Sequence, residues 1–366
     1  MKKIGILTAT TTNNIGTDLQ ALAMQQIFTS IANNSNEEIQ IELIKYRNTK
    51  LESMNKLIPR ITLKNILYLP WRLFNDYVHK QFRKRWFKHS NIEYKANDLD
   101  VSGYDIIVVG SDQVWNLSLT GDDMNFFLPC QSSMIHKYSY AASIGNTDVC
   151  EWNKKYNLSL YLSEFKRISV RESSAINTMK MIGINAQQDL DPLLMVEANE
   201  WRRYMYNHHK INNKYVLIYI AESNDQALSY AVEYAQKNNL EVIMLSNGLR
   251  INKNIKIKRF VSVEKWLMYM DSASLLITSS YHGLSMAIDL HINFRAVELK
   301  NNQSNSRLSS LLSDFCLEEF SLGQHYEAIP DWEFVDRLLL QRRKKSKEYV
   351  EEIINERIST EVSNSF

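Results

Sequence analysis

A single histidine stands in a cluster of polar residues between an apolar strand pattern and an apolar helix pattern. Residues 275–277 predict a buried strand, and helical periodicity resumes at residue 284. Between them, His282 follows Ser279, Ser280 and Tyr281 and precedes Gly283. The first N–H groups of a helix lack intrahelical partners and favour an anion, so a titratable group lies at a predicted anion site. The alternative is that His282 caps the helix or donates to a carbonyl.

A second polar cluster follows the clearest buried strand pattern of the chain. This pattern covers residues 104–110, and directly after it come Ser111, Asp112, Gln113, Trp115 and Asn116. In a parallel sheet these side chains would lie at the carboxyl edge, where ligands bind. A hydroxyl, a carboxylate, amides and an indole face together suit a sugar ring. The same composition also occurs in plain turns, but its concentration here favours a ligand.

The N-terminal loop offers a third set of polar groups. Residues 3–8 predict a strand, residues 10–18 a loop with the single glycine Gly16, and the following residues a helix. This is the opening unit of a doubly wound α/β domain, although the Gly-x-Gly-x-x-Gly dinucleotide fingerprint is absent. Asn14 and Asp18 would face the crevice and bind a ligand. The alternative is that polar residues of this loop cap the helix.

One further strand pattern ends in a charge pair. Residues 167–172 predict a short strand, with Arg171 beside Glu172 at its end. A structural ion pair would account for both residues. An arginine that faces a cleft is also the usual clamp for a carboxylate or phosphate, because its guanidinium can bind two oxygens at once. Both interpretations stay open from the sequence.

The elements that position these groups follow a repeated alternation of strands and helices. A typical domain has about 150 residues, so 366 residues predict two domains. We expect one Rossmann-like domain over residues 1–200, with a basic insertion at 56–89, and a second over 214–325. Residues 331–357 predict a terminal helix that packs back on the body. The predicted fold class is α/β, with two doubly wound Rossmann-like domains that face each other across a cleft, the GT-B arrangement.

The insertion combines basic with apolar residues. Between Lys56 and Lys88, nine Lys or Arg residues stand against one Asp, interleaved with aromatic and aliphatic residues. This pattern is typical of a helix that lies at an anionic membrane surface. The alternative is a solvated helical hairpin that packs on the domain through the same apolar face.

Composition limits the remaining classes of function. The formal net charge of +2 argues against bulk attraction to nucleic acid. The three cysteines are scattered without metal-ligand spacing, which predicts a reducing compartment and no structural metal. The apolar run at residues 4–7 is too short for a signal sequence, and no stretch reaches the roughly 20 apolar residues that span a bilayer. These features predict a cytoplasmic protein.

The order of the motifs resembles that of the polysaccharide pyruvyl transferase family. The matching segments are Gly-Ser-Asp-Gln-Val-Trp-Asn (110–116), Tyr-Ala-Ala-Ser-Ile-Gly (140–145), Ile-Ser-Val-Arg-Glu (168–172), Asp-Pro-Leu-Leu (191–194) and Ser-Tyr-His-Gly (280–283). The first segment is specific, and the others gain weight from their order. The resemblance covers most of the chain and skips the basic insertion.

This resemblance implies a GT-B-like fold, phosphoenolpyruvate as donor, and a saccharide acceptor that receives a cyclic pyruvate ketal. The family's donor-site histidine corresponds to His282, which we expect to be catalytic, and its strand-end arginine corresponds to Arg171. We expect the donor site also to contain Ser280, Tyr281, Gly283 and Arg307. The expected acceptor site contains Asn14, Asp18, Ser111, Asp112, Gln113 and Asn116. Relatives often carry an arginine where this chain has Ser280, so Arg307 or Lys300 would supply the missing charge.

The expected reaction needs no metal and no cofactor, because phosphoenolpyruvate is a co-substrate and protein cations can balance its charge. A histidine that titrates near neutrality can act as acid and base in turn. The basic insertion fits a lipid-linked acceptor at the inner face of the cell membrane. Two alternatives remain open. One is a GT-B glycosyltransferase that uses a nucleotide sugar, with Glu298 as a candidate ribose contact, and the other is a non-catalytic saccharide-binding protein.

Overall fold

Two large parallel β-sheets and a small two-stranded one, with helices packed on them, make up the described part of the protein. A computed structural model describes residues 1–56, 62–96, 98–129, 134–205, 214–246, 253–299, 305–323 and 328–358. The strands in these ranges are β1 (Lys2–Leu7), β2 (Ile39–Arg47), β3 (His89–Lys95), β4 (Ile106–Val109), β5 (His136–Ser139), β6 (Phe165–Arg167), β7 (Ser169–Val170), β8 (Gln187–Gln188), β9 (Tyr215–Tyr219), β10 (Glu241–Leu245), β11 (Lys256–Lys258), β12 (Leu275–Thr278) and β13 (Phe294–Ala296). The α-helices there are α1 (Ile15–Ala32), α2 (Thr49–Met54), α3 (Leu63–Leu67), α4 (Leu69–Trp86), α5 (Leu117–Thr120), α6 (Val149–Tyr156), α7 (Leu158–Leu162), α8 (Ser173–Met181), α9 (Pro192–Met195), α10 (Ala198–Arg202), α11 (Asp225–Lys237), α12 (Val263–Asp271), α13 (Tyr281–Asp289), α14 (Asn305–Asp314) and α15 (Trp332–Ile354).

The first sheet has the strand order β3-β2-β1-β4-β5-β6. All its neighbours pair in parallel, and Ile4 in β1 lies between Ile41 of β2 and Ile106 of β4. Every residue of β4 is buried, because helices cover both faces of the sheet. The order reverses direction between β1 and β4, so the loops that follow these two strands diverge there and leave a crevice at the carboxyl edge.

The second sheet repeats this plan with the order β11-β10-β9-β12-β13. Leu217 of β9 pairs in parallel with Ile243 of β10 and with Leu276 of β12, and the order reverses between β9 and β12. The predicted α/β fold with two doubly wound, GT-B-like units is therefore confirmed. We call the part that carries β1 to β8 the first unit and the part that carries β9 to β13 the second unit. The exact division at residues 200 and 214 stays a prediction.

A shared apolar core and the terminal helix hold the two units together. The core joins Ile4 and Ile106 of the first sheet to Leu217 and Leu276 of the second. Helix α15 follows the second unit in the chain but packs on the first, where the Tyr349 hydroxyl donates to a carbonyl of β5 at 2.8 Å. The α15 end also accepts a hydrogen bond at 2.8 Å from the Lys2 side chain.

The basic insertion forms α3 and α4 and leads into the edge strand β3. The inner face of α4 buries Val78, His79 and Phe82 against the first unit, as the packed-hairpin alternative predicts. Its outer face leaves Leu73 49% and Tyr77 61% exposed. Residues 57–61 of the insertion lie outside the described residues. In the described ranges, no helix has both the length and the apolar composition needed to cross a membrane.

Candidate active site

A cavity of about 570 Å³ lies between the carboxyl edges of the two sheets. Its wall comes from the loops after β1 and β4 in the first unit and the loops after β9 and β12 in the second. These four strands flank the two points where strand order reverses, which is where open α/β sheets bind ligands. Seven predicted site residues line the cavity: Asn14, Asp112, Gln113, Ser280, Tyr281, His282 and Arg307.

His282 reaches from the first turn of α13 to the first unit. The helix begins at Tyr281, earlier than the apolar periodicity indicates, because Ser280 caps it and accepts a hydrogen bond from Gly283 N at 3.2 Å. The imidazole ring lies against α1 at Gly16, where a Cβ atom would be only 2.0 Å from His282 Nδ1. About 11% of the side chain is exposed. Because Gly16 of the first unit has no side chain, the His282 ring of the second unit can pack against α1.

A buried ionic network lies beside this ring. The Nε2 atom of His282 is 4.0 Å from Asp191 Oδ2 and has no hydrogen-bond partner among the described residues. The same carboxylate binds Arg171 Nη1 at 2.9 Å, and Arg171 Nε binds Glu172 Oε1 at 3.0 Å. Arg171 Nη1 also lies 3.9 Å from Asp112 Oδ1. The arginine thus neutralises carboxylates that would otherwise be unpaired in a dry environment.

Burial determines the charge state of His282. It lowers the pKa of the imidazole below its usual value, while Asp191 and Asp112 raise that pKa and Arg171 and Arg307 lower it further. The net effect lowers the pKa of His282, so the ring is neutral at pH 7. A proton added to the ring would be stabilised by the two carboxylates. The neutral ring can therefore accept a proton and act first as a base.

Asp112 is the ionised partner on the opposite wall. Burial raises the pKa of its carboxyl group, but His282, Arg171, a hydrogen bond from Thr17 and Arg307 together hold that pKa below its usual value. The Thr17 hydroxyl donates to Asp112 Oδ2 at 2.8 Å. A carboxylate that stays ionised and lines the cavity is a ready acceptor for a substrate hydroxyl.

Arg307 is the arginine that lines the cavity. It lies in the first turn of α14, and its buried Nε atom has no hydrogen-bond partner among the described residues. Burial and then the positive charge of Arg171 lower its pKa, although the guanidinium remains charged at pH 7. No carboxylate in the described ranges lies within ion-pair distance of it. Lys300, the other predicted cation, lies outside the described residues. Arg307 is therefore the described arginine available to an anion in the cavity.

Two predicted acceptor residues combine a local role with a place on the wall. Asn14 caps α1, accepting a hydrogen bond from Thr17 N at 3.2 Å, so the capping alternative is realised. Gln113 accepts a hydrogen bond from Asn116 Nδ2 at 2.9 Å. Both Asn14 and Gln113 still line the cavity, where their remaining donors and acceptors can reach a ligand.

The structure corrects the placement of Asp18. Its side chain is fully buried, with Oδ1 2.6 Å from Arg83 Nε and Oδ2 2.5 Å from His79 Nδ1. Both partners belong to α4, so the carboxylate fastens the basic insertion to α1. The prediction that Asp18 contacts the acceptor is wrong because the residue faces the insertion and not the crevice.

Four other predicted residues also lie off the cavity wall and support it. Ser111 is fully buried and donates to a backbone carbonyl, and Asn116 caps α5. Arg171 is enclosed with its carboxylate partners, and its guanidinium carbon lies 4.2 Å from the centre of the Tyr281 ring. The backbone N–H of Gly283 donates to the capping Ser280 hydroxyl and is not available to a ligand. Direct ligand contact was predicted for these four residues, and the geometry instead makes them supports of the wall.

Two residues that shape the site were not predicted. Gly16 is the glycine that accommodates the His282 ring, and its signal was that it is the single glycine in the polar loop at 10–18. Asp191 caps α9 with one oxygen and binds Arg171 with the other. Its signal was the Asp-Pro pair, since proline favours the first turn of a helix and aspartate the cap before it.

The combined arrangement suits proton transfer next to a small anion. His282, Asp112 and Arg307, which has no carboxylate partner among the described residues, line one cavity, and the buried Asp191 lies 4.0 Å from the imidazole. Among the described residues, no group of three or more His, Cys, Asp or Glu side chains could hold a metal ion.

Solved structures of sugar-nucleotide enzymes share the general architecture at low identity. UDP-GlcNAc 2-epimerase from Neisseria meningitidis, bound to UDP-GlcNAc, is 12% identical with a TM-score of 0.47, over 98% of this chain and 95% of that chain. The Methanocaldococcus jannaschii UDP-GlcNAc 2-epimerase, in complex with UDP-GlcNAc and UDP, is 14% identical with a TM-score of 0.46, over 93% and 99%. The E. coli heptosyltransferase WaaC is 11% identical with a TM-score of 0.37, over 84% and 96%. These similarities are too low to carry an inference about function.

Sequence comparison is more specific. No curated protein matches the chain. The family model described as Polysaccharide pyruvyl transferase matches residues 14–301. This range contains His282, Asp112, Arg171 and Asp191, and so most of the cavity wall and the ionic network beside it. Since the match extends over most of the chain, the protein belongs to the polysaccharide pyruvyl transferase family.

Proposed function

We propose that the protein is a pyruvyltransferase that uses phosphoenolpyruvate and forms a cyclic pyruvate ketal on a saccharide, with release of phosphate. The observation that carries this proposal is that the neutral ring of His282 and the guanidinium of Arg307 line one cavity. Membership of the family supports pyruvyl transfer to a polysaccharide. The resemblance to the family implies the donor and the ketal, and the charged and proton-accepting groups of the cavity support both.

The donor needs cationic contacts, because phosphoenolpyruvate carries a phosphate and a carboxylate on one three-carbon enol. Arg307 suits one of these anions, since a guanidinium can bind two oxygens through parallel N–H groups. Ser280 and Tyr281 line the same wall and would orient the enol. Arg171 acts as a positioning residue: it supports the Tyr281 ring and holds Asp191 beside His282.

The chemistry requires two proton transfers, and one histidine can perform both. In the first step a sugar hydroxyl adds to the middle carbon of the enol, a C–O bond forms, and the hydroxyl proton ends on the methylene, which becomes a methyl group. In the second step a neighbouring hydroxyl attacks the same carbon, the C–O bond to phosphate breaks, and phosphate leaves with the electron pair and the second proton. His282 takes each proton and then returns it, and Asp191 and Asp112 stabilise the intervening imidazolium.

The acceptor would bind on the side of the first unit. Asp112 and Gln113 offer oxygen acceptors for sugar hydroxyls, and Asn14 offers an amide. A lipid-linked acceptor fits the outer face of α4, where Leu73 and Tyr77 continue into Lys80 and Lys84 along one helical stripe. Apolar residues next to lysines on such a stripe suit the surface of an anionic membrane.

The direct test is the His282→Ala variant. Phosphate release from phosphoenolpyruvate should require a saccharide acceptor and should fall by about 10²-fold or more in this variant, the usual contribution of a general acid or base. His291→Ala is the matched control, because His291 is exposed and pairs with Asp336 beyond the end of α13. Circular dichroism should be unchanged in both variants. Activity of His282→Ala within a few-fold of wild type would contradict the assignment.

The product and donor can be identified independently. Proton NMR of the modified saccharide should show a methyl singlet, as the ketal requires, and not the two vinyl protons of an enol ether. Thermal-shift assays should show stabilisation by phosphoenolpyruvate and not by nucleotide sugars. Stabilisation by a nucleotide sugar alone would favour the glycosyltransferase alternative. Its candidate ribose contact, Glu298, is exposed and lies off the cavity wall.

A further inference from the structure

A second cavity, of about 860 Å³, lies next to the proposed active site. The loop at residues 10–13 and helix α2 separate the two. Thr12 and Leu51 of this partition face the active-site cavity, whereas Thr10 and Glu52 face the second cavity. A ligand that occupies one cavity therefore needs to cross only a loop and one short helix to reach the other.

Basic side chains dominate this second cavity, which we call the basic cavity. Three acidic residues line it, Glu52, Asp76 and Glu93, against six cationic ones: Lys45, Arg47, Lys56, Lys80, Arg83 and Lys84. The cations come from β2, the end of α2 and α4, so the insertion supplies much of the charge. An excess of positive charge in a concave surface concentrates anions.

Two of the lysines have no side-chain partner among the described residues. Lys45 and Arg47 bind Glu93, and Lys80 binds Asp76. Lys56 and Lys84 make no side-chain hydrogen bond or ion pair within the described ranges, and both line the basic cavity. Their charges are therefore available to a ligand.

One buried hydroxyl in the basic cavity also lacks a partner that an anion could supply. Thr10 is only 3% exposed, yet its hydroxyl has no hydrogen-bond partner in the described part of the chain. A buried hydroxyl without a partner is costly, and a ligand oxygen would satisfy it. Burial, Lys45 and Arg83 lower the pKa of His89 to about 4, so this histidine is neutral at pH 7 and the positive charge of the cavity comes from its lysines and arginines.

We propose that the basic cavity binds a phosphate or diphosphate group carried by the saccharide acceptor. Phosphate oxygens accept hydrogen bonds from ammonium groups and hydroxyls, the two kinds of donor that Lys56, Lys84 and Thr10 offer. The inference rests on the proposed function, because it places the sugar of the acceptor in the active-site cavity and its anionic group across the partition. An acceptor without phosphate would leave the basic cavity empty and bind weakly.

The test is calorimetric titration of the full-length protein with inorganic pyrophosphate. The double variant Lys56→Gln/Lys84→Gln should bind it about tenfold or more weakly, since each hydrogen bond between charged groups is substantial. Thr10→Val, which keeps the shape of the side chain but removes its hydroxyl, should weaken pyrophosphate binding several-fold. The control Lys154→Gln/Lys180→Gln should keep wild-type affinity, because it removes the same charge from exposed positions on α6 and α8.

Kinetics link the site to the acceptor. Pyrophosphate should raise the KM for a glycosyl-phosphate acceptor and leave the KM for phosphoenolpyruvate unchanged. Wild-type affinity for pyrophosphate in Lys56→Gln/Lys84→Gln would overturn the inference. Turnover of phosphoenolpyruvate in the same preparations reports on the proposed function separately. Normal turnover together with failed pyrophosphate binding would refute the basic cavity alone.

Discussion

The contact between Gly16 and His282 gives a sharp test of how the catalytic ring is positioned. A Gly16→Ala substitution adds one methyl group, and its carbon would lie 2.0 Å from His282 Nδ1, 2.5 Å from Cγ and 2.9 Å from Cβ. Heavy atoms in contact need about 3.5 Å, so the ring must move by roughly 1.5 Å. The methyl group changes neither charge nor hydrogen bonding, so displacement of the ring is its main effect.

The expected loss follows from this displacement. A misplacement of about 1 Å in a catalytic group can cost about 100-fold in rate, which corresponds to about 2.7 kcal/mol in the activation free energy. The fold should survive, because Gly16 lies within α1 and alanine favours a helix by up to about 1 kcal/mol over glycine. We therefore expect kcat for phosphate release to fall about 100-fold while the KM for phosphoenolpyruvate changes little, since Arg307 does not move.

The assay has a control within the chain and a readout independent of activity. A Cβ at Gly103 would have no atom within 4 Å, so Gly103→Ala tests the same substitution without a contact. Proton–carbon NMR of the histidine rings, with the His282 signal assigned from its absence in His282→Ala, should show a shifted resonance in Gly16→Ala only. Wild-type kcat together with an unshifted resonance in Gly16→Ala would refute the reasoning.

Two further perturbations follow from the charges around the site. Arg307→Gln should raise the KM for phosphoenolpyruvate by about tenfold or more, since it removes a charged hydrogen-bond donor, whereas Arg203→Gln at the exposed C-cap of α10 should not. Equal KM values in the two variants would contradict the donor role. Burial raises the pKa of Asp289 to about 7, against the opposing effect of Arg343, so folding favours the protonated carboxyl group. The free energy of unfolding should therefore fall as pH rises from about 4 to about 7, by at most about 4 kcal/mol, and urea unfolding of Asp289→Asn should lack this slope.

Local sequence patterns predicted the elements well because strand and helix periodicity is a local property. The apolar run before His282 became β12, and the charged segment at 331–357 became α15 packed back on the first unit. The edge strand β3 was not predicted. Its residues are largely polar and exposed, and only its parallel pairing with β2 makes it a strand.

The site was predictable where its residues follow strands at the two reversal points. Asp112, Gln113 and His282 meet for this reason, because parallel strands bring the loops at their carboxyl ends to one edge. Asp18 was misplaced because its partners are distant in sequence, whereas Arg171 forms the ion pair with Glu172 that was one of its two predicted roles and gains a distant partner as well. Nothing local indicates that Asp18 will pair with α4, 61 residues further along, or that Arg171 will be enclosed by Asp191.

The same dependence on distant partners explains why His282 is buried and neutral, as the proposed base must be. The ring belongs to the second unit, whereas Gly16, Asp112 and Asp191 belong to the first, so its burial and its lowered pKa exist only when the units are docked. The shared apolar core and α15 hold them docked through contacts that no substrate supplies. In the proposed reaction the base is therefore preformed, and the binding energy of the donor can be used to orient the enol and the acceptor hydroxyl instead of assembling the catalytic group.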